Sequence, residues 1–150
     1  KFNSLWYYSV LSSKYLLDHI LSKVVGKKVL IMGLSFKKNI DDYRLSHGVY
    51  LTKKLIEAGY STCVVDKDYG KNDYTVLEPN IESKIQIKKT IEELDVNDRY
   101  DTVIISLDNK EFFGHETFLK NQGKILDLWN MYKNKKDIFN DYWSLGLGIK

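Results

Sequence analysis

A series of short apolar runs, each bounded by charge, glycine or turn residues, constrains the fold of this chain most. They are Val29 to Ile31, Ser61 to Asp66, Ile85 to Ile87, Thr102 to Ser106 and Ile125 to Leu128. In the second, Thr62, Cys63, Val64 and Val65 are β-branched or apolar without clean alternation, the pattern of a strand buried on both faces. Helical patterns lie between the runs. That alternation predicts a mostly parallel sheet with helices on both faces, whose ligands sit beyond the carboxyl ends of the strands.

The intervening segments read as follows. From Leu5 to Val25 the positions Trp6, Val10, Leu17, Ile20, Leu21 and Val24 recur at helical spacing, with Lys14, Asp18 and Lys23 off the stripe. Gly26 ends this long amino-terminal helix. Its Trp6, Tyr7 and Tyr8 suit either the domain's own sheet or another domain or subunit. Ser46 caps a second helix with Val49, Thr52, Leu55 and Ile56 on one face, closing at Gly59. Lys67 to Ser83 reads as loop, Thr90 to Leu94 as a helical turn or two, and a helix capped by Asp108 or Asn109 holds Phe112, Phe113, Phe118 and Leu119. A short helix around Lys135 to Tyr142 and an extended piece, Leu145 to Ile149, complete the chain.

At 150 residues the chain is the size of one domain with a real core. Its 23 basic and 20 acidic residues are interspersed and leave a formal charge of +3, which argues against a nucleic-acid partner. Phe2 to Ser13 is broken well short of the ~18 apolar residues of a membrane span, and no signal peptide is evident, so no membrane partner is expected. One cysteine, Cys63, allows no internal disulfide, and no Cys/His spacing suggests a metal site. A cytoplasmic setting fits. The chain opens on Lys1 inside helix-like sequence, which reads as a fragment of a longer protein.

The connection after the first strand is unusual. Strand-to-helix links usually take ~2–6 residues, yet "MGLSFKKNIDDYR" spans residues 32 to 44 before the next helix begins. A dinucleotide fingerprint needs G-x-G-x-x-G. Only Gly33 is there, and Asp66 lies too far beyond it to restore a standard NAD site. Two readings of the charges stay open: Lys37, Lys38 and Arg44 neutralise Asp41 and Asp42 in a solvated loop, or Lys37 and Lys38 reach phosphate oxygens as mobile point charges. Cys63, inside an apolar strand, reads as core, because a reactive thiol needs an electropositive, exposed niche. His19, His47 and His115 share no catalytic or metal spacing. Lys88 to Lys89 and Lys133 to Lys136 read as solvated faces.

The stretch "KKVLIMGLSFKKNIDDYRLSHG" resembles the start of the carboxy-terminal, nucleotide-sugar-binding domain of the UDP-glucose/GDP-mannose dehydrogenase family. There a strand and glycine lead to Phe-Lys, Thr-Asp-Asp and Arg-Glu-Ser-Pro. Gly33, Phe36, Lys37, Asp41, Asp42, Arg44 and Ser46 stand in matching places, while Ile40, Leu45 and His47 replace Thr, Glu and Pro. "EAGYSTCVVDKD", "DTVIISLDNKEF", "KILDLWN" and "YWSLGLGIK" extend the similarity, and the opening helix resembles the end of the family's central, dimer-forming helix.

The resemblance implies a Rossmann-like doubly wound domain over 27–150, preceded by the end of a linker and dimerisation helix over 1–26. It implies a homodimeric NAD-dependent enzyme that oxidises the C6 alcohol of UDP-glucose or a related UDP-sugar to the uronate through a thiohemiacetal. The cysteine and the NAD cofactor belong to an upstream segment and an amino-terminal domain that this chain lacks, so the chain alone is expected to be inactive, with no catalytic, cofactor or metal residues of its own. Phe36 and Lys37 are expected to contact the nucleotide sugar, with Trp129, in the place of a substrate-holding arginine, and Asn130 on the same site. Gly33, Asp41, Asp42 and Arg44 are expected to organise the loop. The alternative is a ligand-free doubly wound interaction module dimerising through its first helix.

Overall fold

The computed structural model describes residues 3–35, 43, 46–70 and 77–145, with side chains described from residue 12 onward. Its regular elements are α1 (Asn3–Leu21), β1 (Lys28–Met32), α2 (His47–Glu57), β2 (Ser61–Val65), α3 (Pro79–Glu82), β3 (Ile85–Lys88), β4 (Thr102–Ile105), α4 (Glu116–Leu119), β5 (Lys124–Asp127) and β6 (Asp141–Ser144). Short 3-10 turns cover Ile91–Glu93, Lys110–Phe112 and Lys133–Ile138.

The strands form one parallel sheet in the order β3-β2-β1-β4-β5-β6. This is the doubly wound Rossmann-like order, with the reversal of direction at β1 and β4. Register puts Leu30 between Cys63 and Val103, and Ile31 between Val64 and Ile104. Alternate residues therefore face opposite sides. Val29, Ile31, Val64, Ile104 and Leu126 join Leu17, Ile20, Leu51 and Leu55 on one face, while Leu30, Met32, Cys63, Val65, Val103 and Ile105 meet Ile91, Phe112, Leu119 and Tyr132 on the other. Both faces need apolar partners, which is why the strand sequences do not alternate.

The faces are covered differently. Among the described residues α1 and α2 roof the first, whereas only short helical turns roof the second. The helix expected to hold Phe112 through Leu119 is split by Gly114, whose φ of +87° reverses the chain between a 3-10 turn and α4. Two further corrections concern the ends of segments expected to be otherwise. α3 lies within the stretch read as loop, with Pro79 at its first turn, a position where the missing N–H costs nothing. Where a helix was expected around Lys135 to Tyr142, a 3-10 turn stops at Ile138 and Asp141–Ser144 is a strand. Tyr142 pairs with Ile125 in the sheet, so it cannot extend a helix. Residues 146–150 lie outside the described residues.

The amino edge of the sheet is held by its own polar contacts. Asp101 Oδ2 accepts from the main-chain N–H groups of Lys27 and Lys28 at 2.7 and 2.9 Å, and these bonds hold its pKa below the usual carboxylate range. Thr102 Oγ1 both accepts from Val25 N and donates to Val25 O. Leu17 and Ile20 of α1 are buried, and His19 lies 5.9 Å from the Trp143 ring, so the carboxyl half of this helix packs on the domain's own sheet. Among the described residues no helix is long and apolar enough to cross a membrane.

Candidate functional site

The carboxyl edge begins at Gly33. Its φ is +100°, and a Cβ there would stand 2.3 Å from Leu107 Cβ, so the chain can turn between β1 and β4 only without a side chain. The Ser106 hydroxyl, at the end of β4, lies 2.6 Å from Gly33 O and 3.1 Å from Met32 O. Gly48 closes the same spot from the helix side, since a Cβ on it would meet Gly33 O at 2.3 Å.

The long connection leaves and re-enters at one neck. Ser46 Oγ donates to Leu34 O and accepts from the N–H groups of Gly48 and Val49, capping α2 while joining the two ends of the loop. Of the expected site residues, Phe36, Lys37, Asp41, Asp42 and Arg44 lie outside the described residues. Tyr43 is described. It is buried, and its ring meets Tyr69 edge-on at 6.0 Å, which ties the loop to the segment after β2.

Asp66, at the end of β2, sets the root of this loop. One carboxylate oxygen accepts from Leu34 N and Ser35 N at 2.6 and 3.1 Å; the other accepts from Asp68 N and Tyr69 N at 2.9 and 3.1 Å. The group is 4% exposed and engaged on both oxygens by main chain. A ribose diol cannot use a carboxylate so committed, which is a physical reason, beyond spacing, against a standard dinucleotide site here.

Beside Asp66 a cavity of about 240 Å³ opens between the ends of β2, β3 and β4. Val65, Ile91, Leu107 and Phe112 give it an apolar lining, and Lys67, Lys89, Glu92 and Glu111 a charged one. The cations are engaged: Lys67 pairs with Glu111, and Lys89 donates to Tyr69 O.

A second buried carboxylate organises the end of β5. Asp127 Oδ1 accepts from Trp129 N at 3.1 Å, and Oδ2 accepts from Tyr132 N at 2.8 Å and from the Tyr142 hydroxyl at 2.7 Å. Burial, reinforced by Asp127, raises the Tyr142 pKa and keeps the phenol a donor. Asn130 adopts φ +58°, a left-handed conformation asparagine tolerates. Its Nδ2 donates to Leu145 O and its Oδ1 accepts from Ser144 Oγ, both at 2.8 Å. Trp129 Nε1 donates to Ser106 O at 3.0 Å, laying the indole over the end of β4 with 49% of the residue exposed.

The structure thus brings Gly33, Trp129 and Asn130 to one edge, with Ser106 linking Gly33 to Trp129 and Asn130 bound to the end of β6. Sequence reasoning placed those segments there but gave no part to Asp127, Tyr142 or Ser144 as its anchors. An aspartate closing an apolar strand was the one available signal. The remaining candidates stand apart. Cys63 is buried, and burial raises its pKa, the opposite of an activated thiol. His115 Nε2 contacts Glu111 O, and burial lowers the pKa of His47 at the start of α2.

Comparison with known proteins follows this geometry. Residues 30–134 match the UDP-glucose/GDP-mannose dehydrogenase family, UDP binding domain. The chain is 26% identical over 78 residues to the UDP-glucose 6-dehydrogenases of Rattus norvegicus and Mus musculus, a match covering 51% of this chain and 16% of theirs. Its fold resembles a GDP-mannose dehydrogenase from Pseudomonas aeruginosa, with a TM-score of 0.61 and 25% identity, over 83% of this chain and 29% of that one. It also resembles a UDP-glucose dehydrogenase from Pyrobaculum islandicum, with a TM-score of 0.56 and 23% identity, over 85% and 27%. The chain therefore spans less than a third of the length of each of these relatives.

Proposed function

The chain belongs to the UDP-glucose/GDP-mannose dehydrogenase family through its UDP binding domain, and from that premise we propose that its carboxyl-edge crevice holds a UDP-sugar for oxidation at C6. The observation that carries this reading is the neck at Leu34 and Ser46. It roots a long, charged loop at the strand-order reversal, where ligands of such sheets sit.

In this reading Lys37 supplies a cation to the diphosphate or sugar, and Phe36 lines the same site. Asp41, Asp42 and Arg44 organise the loop above its fixed root. A cation near a diphosphate gains more in a cleft of reduced dielectric than in water. Trp129 faces the ligand, and Asn130 holds the turn that presents it. NAD and the nucleophilic cysteine come from another part of the full-length enzyme, so 27–150 binds substrate and 1–26 belongs to the linking, dimer-forming helix. The chain by itself then binds without catalysis.

Calorimetry tests this. UDP or UDP-glucose should bind weakly and NAD+ not at all, and Lys37→Ala should weaken UDP binding about tenfold, the loss of one charge-assisted contact. Tight NAD+ binding, or UDP binding indifferent to Lys37→Ala, contradicts the assignment.

A further inference from the structure

We infer that Trp129 is a specificity-determining residue that recognises its ligand only through the face of the indole, stacking on a ring of the nucleotide sugar; this rests on the reading above. An indole has a single N–H donor and no acceptor. That donor is spent on Ser106 O at 3.0 Å, and the main-chain N–H of Trp129 is spent on Asp127 Oδ1 at 3.1 Å. Neither is available to a phosphate or a sugar hydroxyl. Yet 49% of the residue is exposed, and with its N–H spent the side chain has only ring surface to offer a ligand.

The ring is also fixed. Ser106 restrains one end through the indole N–H, and Asp127 fixes the main chain below it. Asn130 is a positioning residue: its φ of +58° makes the turn, and its amide is bound at both ends to the carboxyl end of β6, at Ser144 and Leu145. An aromatic surface held in this way has lost its ordering entropy before a ligand arrives, the condition under which stacking contributes most. Its location selects the occupant. Ser106, which takes the indole N–H, also binds Gly33 O at the foot of the charged loop. The exposed indole therefore stands at the carboxyl ends of β1 and β4, where the strand order reverses and ligands of such sheets sit.

The shared chemistry is a flat or apolar ring face, offered by either the uracil base or the hexose. The Trp6→Phe, Trp143→Phe double variant leaves Trp129 as the one indole fluorophore. UDP-glucose should change its emission saturably, and inorganic pyrophosphate should not. UDP and glucose 1-phosphate then tell the rings apart: a response to UDP assigns the base, and a response to glucose 1-phosphate assigns the hexose. Trp129→Ala should weaken UDP-glucose binding about tenfold, and Trp129→Phe should restore most of it. Asn130→Gly keeps the turn, since glycine accepts its φ, and should lower both the anisotropy of Trp129 and the ligand-induced response. Calorimetric binding of UDP-glucose with unchanged emission, and with equal affinity in Trp129→Ala, overturns the inference and leaves the proposed function standing. No UDP-glucose binding by the unaltered chain overturns both.

Discussion

Two buried aspartates stand at carboxyl ends of the sheet, Asp66 after β2 and Asp127 closing β5, and they do different things with the same group. Asp66 spends both oxygens on four main-chain N–H donors, two from its own turn and two from the root of the loop after β1. Asp127 takes two main-chain donors from its own turn and a phenol from β6. The first fixes the base of the loop after β1 at Leu34 and Ser35, and in the function proposed above the rest of that loop carries the ligand contacts. The second fixes a tight turn whole and displays a side chain already in place. One carboxylate thus ties two separate segments together, and the other closes a single turn onto a neighbouring strand.

Substitution should break the comparison unevenly. In Asp66→Asn, either orientation of the amide points its NH2 group at two main-chain donors, so the expected loss is the largest, about 3 kcal/mol of stability. Chemical denaturation measures it, and faster amide exchange at Leu34 and Ser35 should accompany it. Asp127→Asn can keep Trp129 N on its oxygen and donate its amide to the Tyr142 hydroxyl, so only the Tyr132 contact opposes it. The expected loss is roughly half as large, about 1.5 kcal/mol, with altered Trp129 emission and no change in exchange at Leu34. Equal losses for the two variants would dissolve the distinction.

The smallest expected effect comes from pH. Burial lowers the pKa of His47 at the loop neck, so on acidification the unfolded chain takes up that proton first. Stability is complete above the ordinary histidine value, ~6.5, falls as pH drops below it, and levels off below the folded pKa. His47→Gln should flatten that part of the curve in thermal unfolding across neutral to mildly acid pH.

What the sequence made legible follows from how local each signal is. The strands β1, β2, β4 and β5 could be read because both faces are covered and nearly every residue must be apolar. Ser46 could be read as a cap because capping is decided within a few residues. β6 was missed, its first residues read as helix, because it pairs with Lys124–Asp127 through main chain and its Asp-Tyr-Trp-Ser sequence carries no mark of that pairing. The role of Asp66 was hidden for a related reason. Its partners are main-chain N–H groups, two of them more than thirty residues away, and main chain leaves no trace in side-chain identity. Trp129 and Asn130 were singled out by family resemblance, but that the indole N–H is committed to Ser106 and the amide to the end of β6 required coordinates.

The most direct test of the central claim is a heteronuclear NMR titration of the chain with UDP. The account predicts shifts concentrated at the loop neck, Leu34, Ser35 and Ser46, at Lys37, and at the Trp129 indole N–H. An unchanged spectrum at millimolar UDP, or shifts gathered instead around Lys28, Asp101 and Gly123 at the opposite edge of the sheet, would contradict it.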